Sequence, residues 1–171
     1  MAVDKRTLIY EATLSLVYEN SDLSSIKVAS IAARANIGKG TVYEYFESKE
    51  QVIGEALIYM MNNNINALEV LIDQDLDFKT TYLRMLDNLS SMLGHKRSVY
   101  NLISLNTENL VVHTAIQKIL ATKLEELRQA YFRNVERMVE KSVQEGILKV
   151  MPAKFDWQTA VLTSITFVFF H

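Results

Sequence analysis

Residues 31–49 read Ile-Ala-Ala-Arg-Ala-Asn-Ile-Gly-Lys-Gly-Thr-Val-Tyr-Glu-Tyr-Phe-Glu-Ser-Lys, and this stretch decides the fold. It predicts the end of one short helix, a tight turn, a second short helix and the start of a third. Asn36 stands where the turn needs a left-handed backbone, which Asn adopts more readily than most non-glycine residues. Gly38 is an acceptable N-cap, and Val42 and Phe46, four residues apart, can both face inward. The stretch therefore predicts a helix-turn-helix, whose second helix can enter a DNA major groove.

The segments on either side of this stretch predict further helices. Upstream, Asp4 is suited to cap a first helix, and Ser24 or Ser25 can cap a second helix that runs into the turn. Downstream, residues 48–51 (Ser-Lys-Glu-Gln) form a capping box that opens a longer helix at residues 48–72. The first three helices and the turn thus make one helix-turn-helix domain.

The remainder of the chain predicts more helices and no strands. Gly (5) and Pro (1) are scarce, which favours long uninterrupted helices. Apolar residues at three- and four-residue spacing predict further helices at residues 78–93, 99–105, 112–145 and from 155 onward. We therefore predict an all-α protein, with a DNA-binding domain at residues 1–47 and a helical ligand-binding and dimerisation domain at residues 48–171. The helix at residues 48–72 is expected to link the two.

Composition excludes several classes of function. The chain has no cysteine, and its three histidines show no metal-ligand spacing, so no metal site or cofactor is expected. No carboxylate pair or nucleophile–base set stands out, which argues against an enzyme. No apolar run approaches the ~20 residues of a membrane span, and no signal peptide is recognisable, so a cytoplasmic protein without membrane contact is expected. The net charge of −2 means that any DNA-binding surface must arise from the placement of its cations.

The first fifty residues or so resemble the DNA-binding domain of the TetR family of transcriptional regulators. The resemblance rests on Ile31-Ala32, Ile37, Lys39-Gly40-Thr41-Val42-Tyr43, Tyr45-Phe46 and Ser48-Lys49-Glu50. The chain departs from the family at Asn36, where Gly is usual, and at Gly38, where Ser is frequent. The resemblance implies a homodimeric regulator, most simply a repressor, that leaves a palindromic DNA operator when a small apolar or amphipathic ligand binds.

The resemblance, together with the predicted outward side of the second motif helix, assigns the DNA contacts to Lys27, Lys39, Gly40, Thr41, Tyr43, Tyr45 and Lys49. Tyr43 resembles the phosphate-binding tyrosine of the family; the alternative is an aromatic residue that supports the turn. Lys49 lies at a predicted helix start, where its ammonium and the free N–H groups of the first turn would together form a good phosphate site. The alternative is a solvated lysine without a DNA contact. Lys27 lies where the family often has Thr or Ser to hold a phosphate.

The second predicted domain carries two further candidate sites. Residues suited to an adaptable apolar ligand cavity, or alternatively to plain core packing, are Tyr82, Met85, Met92, Tyr100, Phe132 and Trp157. The last helix has a wide apolar face that suggests a dimer interface, formed by Phe155, Val161, Leu162, Ile165 and Phe169. Because the apolar run continues to His171, we expect either a missing C-terminal element or a terminus buried against a partner.

Two rival functions remain open at this point. The first is a helical small-molecule or lipid-binding protein, or an enzyme, that uses the C-terminal pocket while the helix-turn-helix is only structural. The second is a helical adaptor that binds a different protein through its apolar C-terminal face.

Overall fold

The computed structural model describes residues 4–20, 22–93, 110–153, 156 and 158–160, without the side chains of residues 89, 91–93 and 110–113. These described residues form helices and no strands, which confirms the all-α prediction. The α-helices are α1 (Lys5–Glu19), α2 (Val28–Arg34), α3 (Lys39–Tyr45), α4 (Lys49–Ile72), α5 (Phe78–Leu93) and α6 (Leu110–Gln144), with a 3-10 helix at Leu23–Ser25. The predicted helix at 99–105 and most of the one from residue 155 lie outside the description.

The first two helices begin in different ways. Asp4 caps α1 as predicted, its carboxylate accepting a hydrogen bond from the N–H of Arg6 at 3.3 Å. The prediction that Ser24 or Ser25 caps α2 is wrong, because the N-cap is Lys27 and has no side-chain cap. Asp22 instead accepts a bond from the N–H of Ser24 at 2.8 Å, which draws both serines into the 3-10 helix before α2 starts.

The turn between α2 and α3 has the predicted backbone. Asn36 has φ of 54°, in the left-handed region, and Gly38 is the N-cap of α3. The N–H of Ile37 bonds to the carbonyl of Ala32 at 3.0 Å, and that of Asn36 to the carbonyl of Ala33 at 3.2 Å. This pair of bonds is the Schellman ending of a helix, and it needs a left-handed residue at position 36.

The chain forms two compact units, which we describe separately. Unit 1 comprises residues 1–62 and 95–125. Its core contains side chains from α1, α2, α3, the first half of α4 and α6, and the most deeply buried are Ile9, Val17, Ile31, Val42, Phe46, Val52, Ile53, Leu57 and Ile116. The helix-turn-helix is therefore part of a continuous apolar core, in which burial of each large side chain contributes about 1.5–3 kcal/mol.

Unit 2 comprises residues 63–94 and 126–171. Its described core is built from the second half of α4, α5 and the second half of α6, with the buried residues Leu68, Leu71, Met85, Val135, Met138 and Val139. Gly146 has φ of 73° and ends α6 as predicted, with the N–H of Ile147 bonded to the carbonyl of Ser142 at 2.9 Å. Of the helices that the structure describes, none combines the length and the apolar character needed to cross a membrane.

Candidate nucleic-acid interface and ligand cavity

An ion pair holds the first helix of the motif to α1. Both terminal guanidinium nitrogens of Arg34 donate to the carboxylate of Glu19, each at 2.7 Å, and Arg34 also donates to the hydroxyl of Ser15. The hydrogen bonds from Arg34 lower the pKa of the Glu19 carboxyl. Because the fork is bidentate, it fixes the orientation of α2 as well as its distance from α1.

A second polar group joins α1 to α4 beside the end of α3. Glu55 accepts hydrogen bonds from the guanidinium of Arg6 and from the hydroxyl of Tyr10, both at 2.7 Å. The guanidinium of Arg6 also lies 5.0 Å from the ring centroid of Phe46, which directly follows α3. Partial burial opposes ionisation of Glu55, but the bonds from Tyr10, Arg6 and Gln51 outweigh it and lower the pKa of this carboxyl.

The two sides of α3 differ sharply in exposure. Val42 is fully buried, whereas Lys39 and Gly40 are exposed and Tyr43 has 51% of its surface exposed. The ammonium of Lys39 lies 5.8 Å from the ring centroid of Tyr43, so the two side chains share one patch of surface. A Cβ at position 40 would meet no atom within 4 Å, so the backbone there is open to a close approach.

Tyr45 and Thr41 are less accessible than the sequence suggested, since both are half-buried. Tyr45 packs against the core of unit 1, and its ring centroid lies 6.4 Å from that of Phe46. Tyr45 follows Val42 by three residues, and this spacing turns it toward the buried side of the helix. The expectation that Tyr45 faces out therefore holds for only part of its side chain.

The two remaining lysines of the predicted interface have different surroundings. Lys27 is exposed at the start of α2. The ammonium of Lys49 is half-buried and donates to the backbone carbonyl of Ser24 at 2.8 Å, which ties the start of α4 to the 3-10 helix. No local sequence pattern predicts this contact, because the two residues are 25 positions apart.

The predicted capping box at the start of α4 is present with one difference. The hydroxyl of Ser48 accepts a bond from the N–H of Gln51 at 3.1 Å, as expected. The amide oxygen of Gln51, however, accepts from the N–H of Glu47 at 2.7 Å, one residue before the cap. The box thereby also fixes the chain that leaves α3.

Unit 2 contains a cavity of about 400 Å³, bounded by α4, α5 and α6. Its lining residues are Asn64, Ile65, Ala67, Leu68, Met85, Asn88 and Tyr131. Buried Asn134 donates to the backbone carbonyl of Ile65 at 3.4 Å and so holds α6 against α4 beside the cavity. The volume is in the usual range for small-molecule sites.

Of the residues predicted for a ligand site, Met85 lines this cavity. Tyr82 and Phe132 pack against the core of unit 2, and Tyr82 stacks on Phe78 with ring centroids 5.8 Å apart. The side chains of Met92, Tyr100 and Trp157 lie outside the description, as do all five residues of the predicted dimer interface: Phe155, Val161, Leu162, Ile165 and Phe169.

Sequence reasoning missed Tyr131, the cavity residue with the most unusual environment. Its hydroxyl oxygen is buried and has no hydrogen-bond partner among the described residues. Burial raises the pKa of Tyr131 to about 12, with a smaller contribution from Tyr82. Its ring contacts that of Phe132 edge-on, with centroids 5.7 Å apart. In the sequence, Tyr131 looks like one more apolar position of the long helix.

Comparison with known proteins agrees with this geometry. Residues 9–56 match the family model for bacterial regulatory proteins of the tetR family. Over 150 residues the chain is 21% identical to the HTH-type transcriptional regulator YhgD of Bacillus subtilis, covering 87% of this chain and 74% of the relative. Over 143 residues it is 24% identical to the fatty acid metabolism regulator protein of the same species, covering 82% of this chain and 69% of that protein.

The fold is also shared with solved structures of regulators. The crystal structure of the transcriptional regulator FadR from Bacillus subtilis in complex with stearoyl-CoA has a TM-score of 0.66 and 22% sequence identity, covering 95% of this chain and 84% of that one. The match at residues 9–56 spans α2, the turn and α3, the elements whose outer surface carries Lys39, Gly40 and Tyr43. Residues 9–56 are therefore similar to bacterial regulatory proteins of the tetR family, and the fold of the described residues is shared with solved transcriptional regulators.

Proposed function

We propose that the protein binds a palindromic DNA operator as a homodimer, represses transcription from it, and dissociates when a small amphipathic molecule occupies the cavity of unit 2. The observation that carries the proposal is the exposed side of α3 on a helix-turn-helix whose opposite side is fully buried. A two-fold dimer would present two such helices to successive major grooves about 34–36 Å apart. We further propose a cytoplasmic location and no catalytic activity.

The proposed DNA contacts divide into phosphate and base contacts. The exposed hydroxyl of Tyr43 and the ammonium groups of Lys27 and Lys49 are assigned to backbone phosphates, which position the protein without reading sequence. Lys49 already donates one bond to Ser24, and an ammonium has two further protons for a phosphate. Lys39 is assigned to base edges or a nearby phosphate, and Gly40 admits the DNA backbone closely.

Thr41 and Tyr45 keep a smaller role in the proposed interface. Both are half-buried, so each presents only part of its side chain to DNA. Tyr45 also packs against the core of unit 1, which leaves its ring less able to adjust to a DNA partner. We assign both residues to the edge of the interface, where they would position α3.

The proposed interface forms on a chain with a net charge of −2. Two carboxylates near the motif, those of Glu19 and Glu55, are neutralised by ion pairs with Arg34 and Arg6. Each pair removes one cation together with one anion, so the local net charge is unchanged and the proposed interface depends on where exposed Lys27 and Lys39 lie.

The proposed ligand is an amphipathic molecule with a long apolar part, and fatty-acyl compounds are the first candidates. Two similarities support this class: one relative is a fatty acid metabolism regulator, and one structural neighbour was solved with stearoyl-CoA. The cavity lining agrees, since Ile65, Leu68 and Met85 offer apolar contacts. Dissociation from DNA requires that the ligand bind more tightly to a protein conformation that does not fit DNA. The coupling free energy between the ligand site and the DNA site can be no larger than this difference in ligand binding free energy.

The test is selection from a random-sequence DNA duplex library at moderate and then higher salt. We expect a palindrome that survives the added salt, since specific complexes retain their preference when phosphate contacts weaken. Salt-erased binding without a preferred sequence, together with thermal stabilisation by fatty-acyl compounds, would contradict the proposal and favour a small-molecule carrier. Copurification of a different protein in a fixed ratio would favour an adaptor.

Matched variants then test the contacts. Tyr43→Phe should weaken binding about tenfold on every sequence, because it removes one hydrogen bond to a charged phosphate. Lys39→Ala should reduce the slope of log affinity against log salt by about 1 if it contacts a phosphate. Lys79→Ala is the control: it removes the same charge from an exposed position in α5 of unit 2 and should leave both quantities unchanged. Equal losses in the control would refute the assignment.

A further inference from the structure

Tyr131 lines the cavity of unit 2 and carries a buried hydroxyl without a hydrogen-bond partner among the described residues. A buried hydroxyl without a partner costs free energy, and such groups are rare in folded proteins. Because Tyr131 also lines the cavity, a molecule occupying that space can supply the missing partner once a small shift of the ring exposes the oxygen.

The other lining residues restrict what that partner can be. None of the seven is charged: Ile65, Ala67, Leu68 and Met85 are apolar, and the amides of Asn64 and Asn88 belong to exposed residues. An ionised group placed deep among these side chains would lack a counter-charge and would be strongly disfavoured. The exposed amides mark the side of the cavity that suits a solvated head group.

The protonation state of Tyr131 then fixes the direction of the bond. Burial raises the pKa of its phenol to about 12, so the hydroxyl keeps its proton at neutral pH. A protonated phenol beside the uncharged lining residues that the structure describes can donate to an uncharged oxygen acceptor. The most compact acceptor of this kind on an apolar chain is a carbonyl.

We propose that Tyr131 donates a hydrogen bond to the carbonyl oxygen of an acyl ester or thioester, and that this bond selects acyl chains over plain alkyl chains of equal length. The inference rests on the proposed ligand role of the cavity. The cavity of about 400 Å³, at about 30 Å³ for each water-sized group, holds about thirteen non-hydrogen groups. A twelve-carbon acyl chain matches that capacity.

The experiment compares two probes on the full chain by titration calorimetry. Dodecanoyl-CoA is a thioester, and S-dodecyl-CoA is the thioether with the same chain and head group but no carbonyl. The parent protein should bind the thioester roughly tenfold more tightly than the thioether, the value of one hydrogen bond to a donor that is otherwise unsatisfied. Tyr131→Phe should lose that preference and bind both probes equally.

Each result decides the inference. A Tyr131→Phe protein that keeps the tenfold preference would overturn the role of Tyr131, while leaving acyl binding and the proposed regulator intact. Failure of the parent to bind either probe would overturn the ligand class, while selection of a palindrome from the duplex library would still support DNA binding. Loss of DNA selection alone would contradict the proposed function and not the hydrogen bond.

A ligand-free measurement guards against a merely structural role. Because the hydroxyl has no described partner, Tyr131→Phe should melt at the same temperature as the parent or higher. Tyr82→Phe is a matched control that removes a hydroxyl from a neighbouring ring in the same core and should keep the thioester preference. A Tyr131→Phe protein that melts several degrees lower would show a structural partner and overturn the inference.

Discussion

Gly54 allows a close approach of α4 and α6 inside unit 1, and replacing it by alanine tests this packing. A Cβ at position 54 would lie 2.9 Å from Cγ2, 3.1 Å from Cβ and 3.3 Å from Cδ1 of Ile119. Carbon atoms prefer separations of about 3.5–4.0 Å, so all three contacts would be too short. The Cβ of Ile119 is fixed by the backbone of α6, so no rotamer change of Ile119 can move this atom away.

Two opposing terms set the size of the effect of Gly54→Ala. Alanine is favoured over glycine inside a helix by about 0.8–1.0 kcal/mol, which would stabilise the variant. Overpacking a filled core costs about 1–3 kcal/mol, which would destabilise it. We expect the second term to win because of the contacts with Ile119, with a net loss of about 1 kcal/mol and a fall of about 2–4 °C in melting temperature.

The assay is a double-mutant cycle followed by chemical denaturation. Ile119→Ala removes Cγ2 and Cδ1, so Gly54→Ala should cost less in that background than in the parent. Gly40→Ala is the matched control for helix propensity, since a Cβ there meets nothing within 4 Å, and it should stabilise the protein. A Gly54→Ala protein as stable as Gly40→Ala, with no coupling to Ile119, would refute the packing argument.

Three further predictions concern pH and backbone conformation. Glu55→Gln should lower the free energy of unfolding near neutral pH, because the pKa of Glu55 is lowered in the folded state. The difference from the parent should shrink as the pH falls below the ordinary carboxyl pKa of 4.5, since protonation of Glu55 removes its contribution. A difference that stays constant with pH would contradict this. Gly146→Ala should destabilise by about 1–2 kcal/mol, since alanine is strained at φ of 73°; an unchanged denaturation midpoint would count against it. Asn36→Ala should lose about 1 kcal/mol at φ of 54°, whereas Asn36→Gly should not; equal melting temperatures for the two variants would argue against a strained turn.

Much of the fold could be predicted because its signals are local. The sequence predicted helices at residues 78–93 and 112–145, and the structure has them at Phe78–Leu93 and Leu110–Gln144. Helical periodicity, caps and left-handed residues all act within four or five positions of the chain, so they are visible without tertiary information. The prediction for Ser24 and Ser25 was wrong because two local capping signals compete there. The carboxylate of Asp22 accepts the hydrogen bond from the N–H of Ser24, and both serines therefore belong to the 3-10 helix.

The sequence by itself determined the helix-turn-helix and its resemblance to tetR-family regulators, because a turn residue, a cap and buried positions at fixed spacing specify that motif locally. Tertiary structure alone decided the contact of Lys49 with Ser24, the pair formed by Arg6 and Glu55, and the unsatisfied hydroxyl of Tyr131 in a cavity with Met85. Each of these depends on residues between 25 and 49 positions apart, or on separate helices brought together by core packing. Burial and hydrogen-bond satisfaction are properties of the surroundings in space, and no local pattern encodes them.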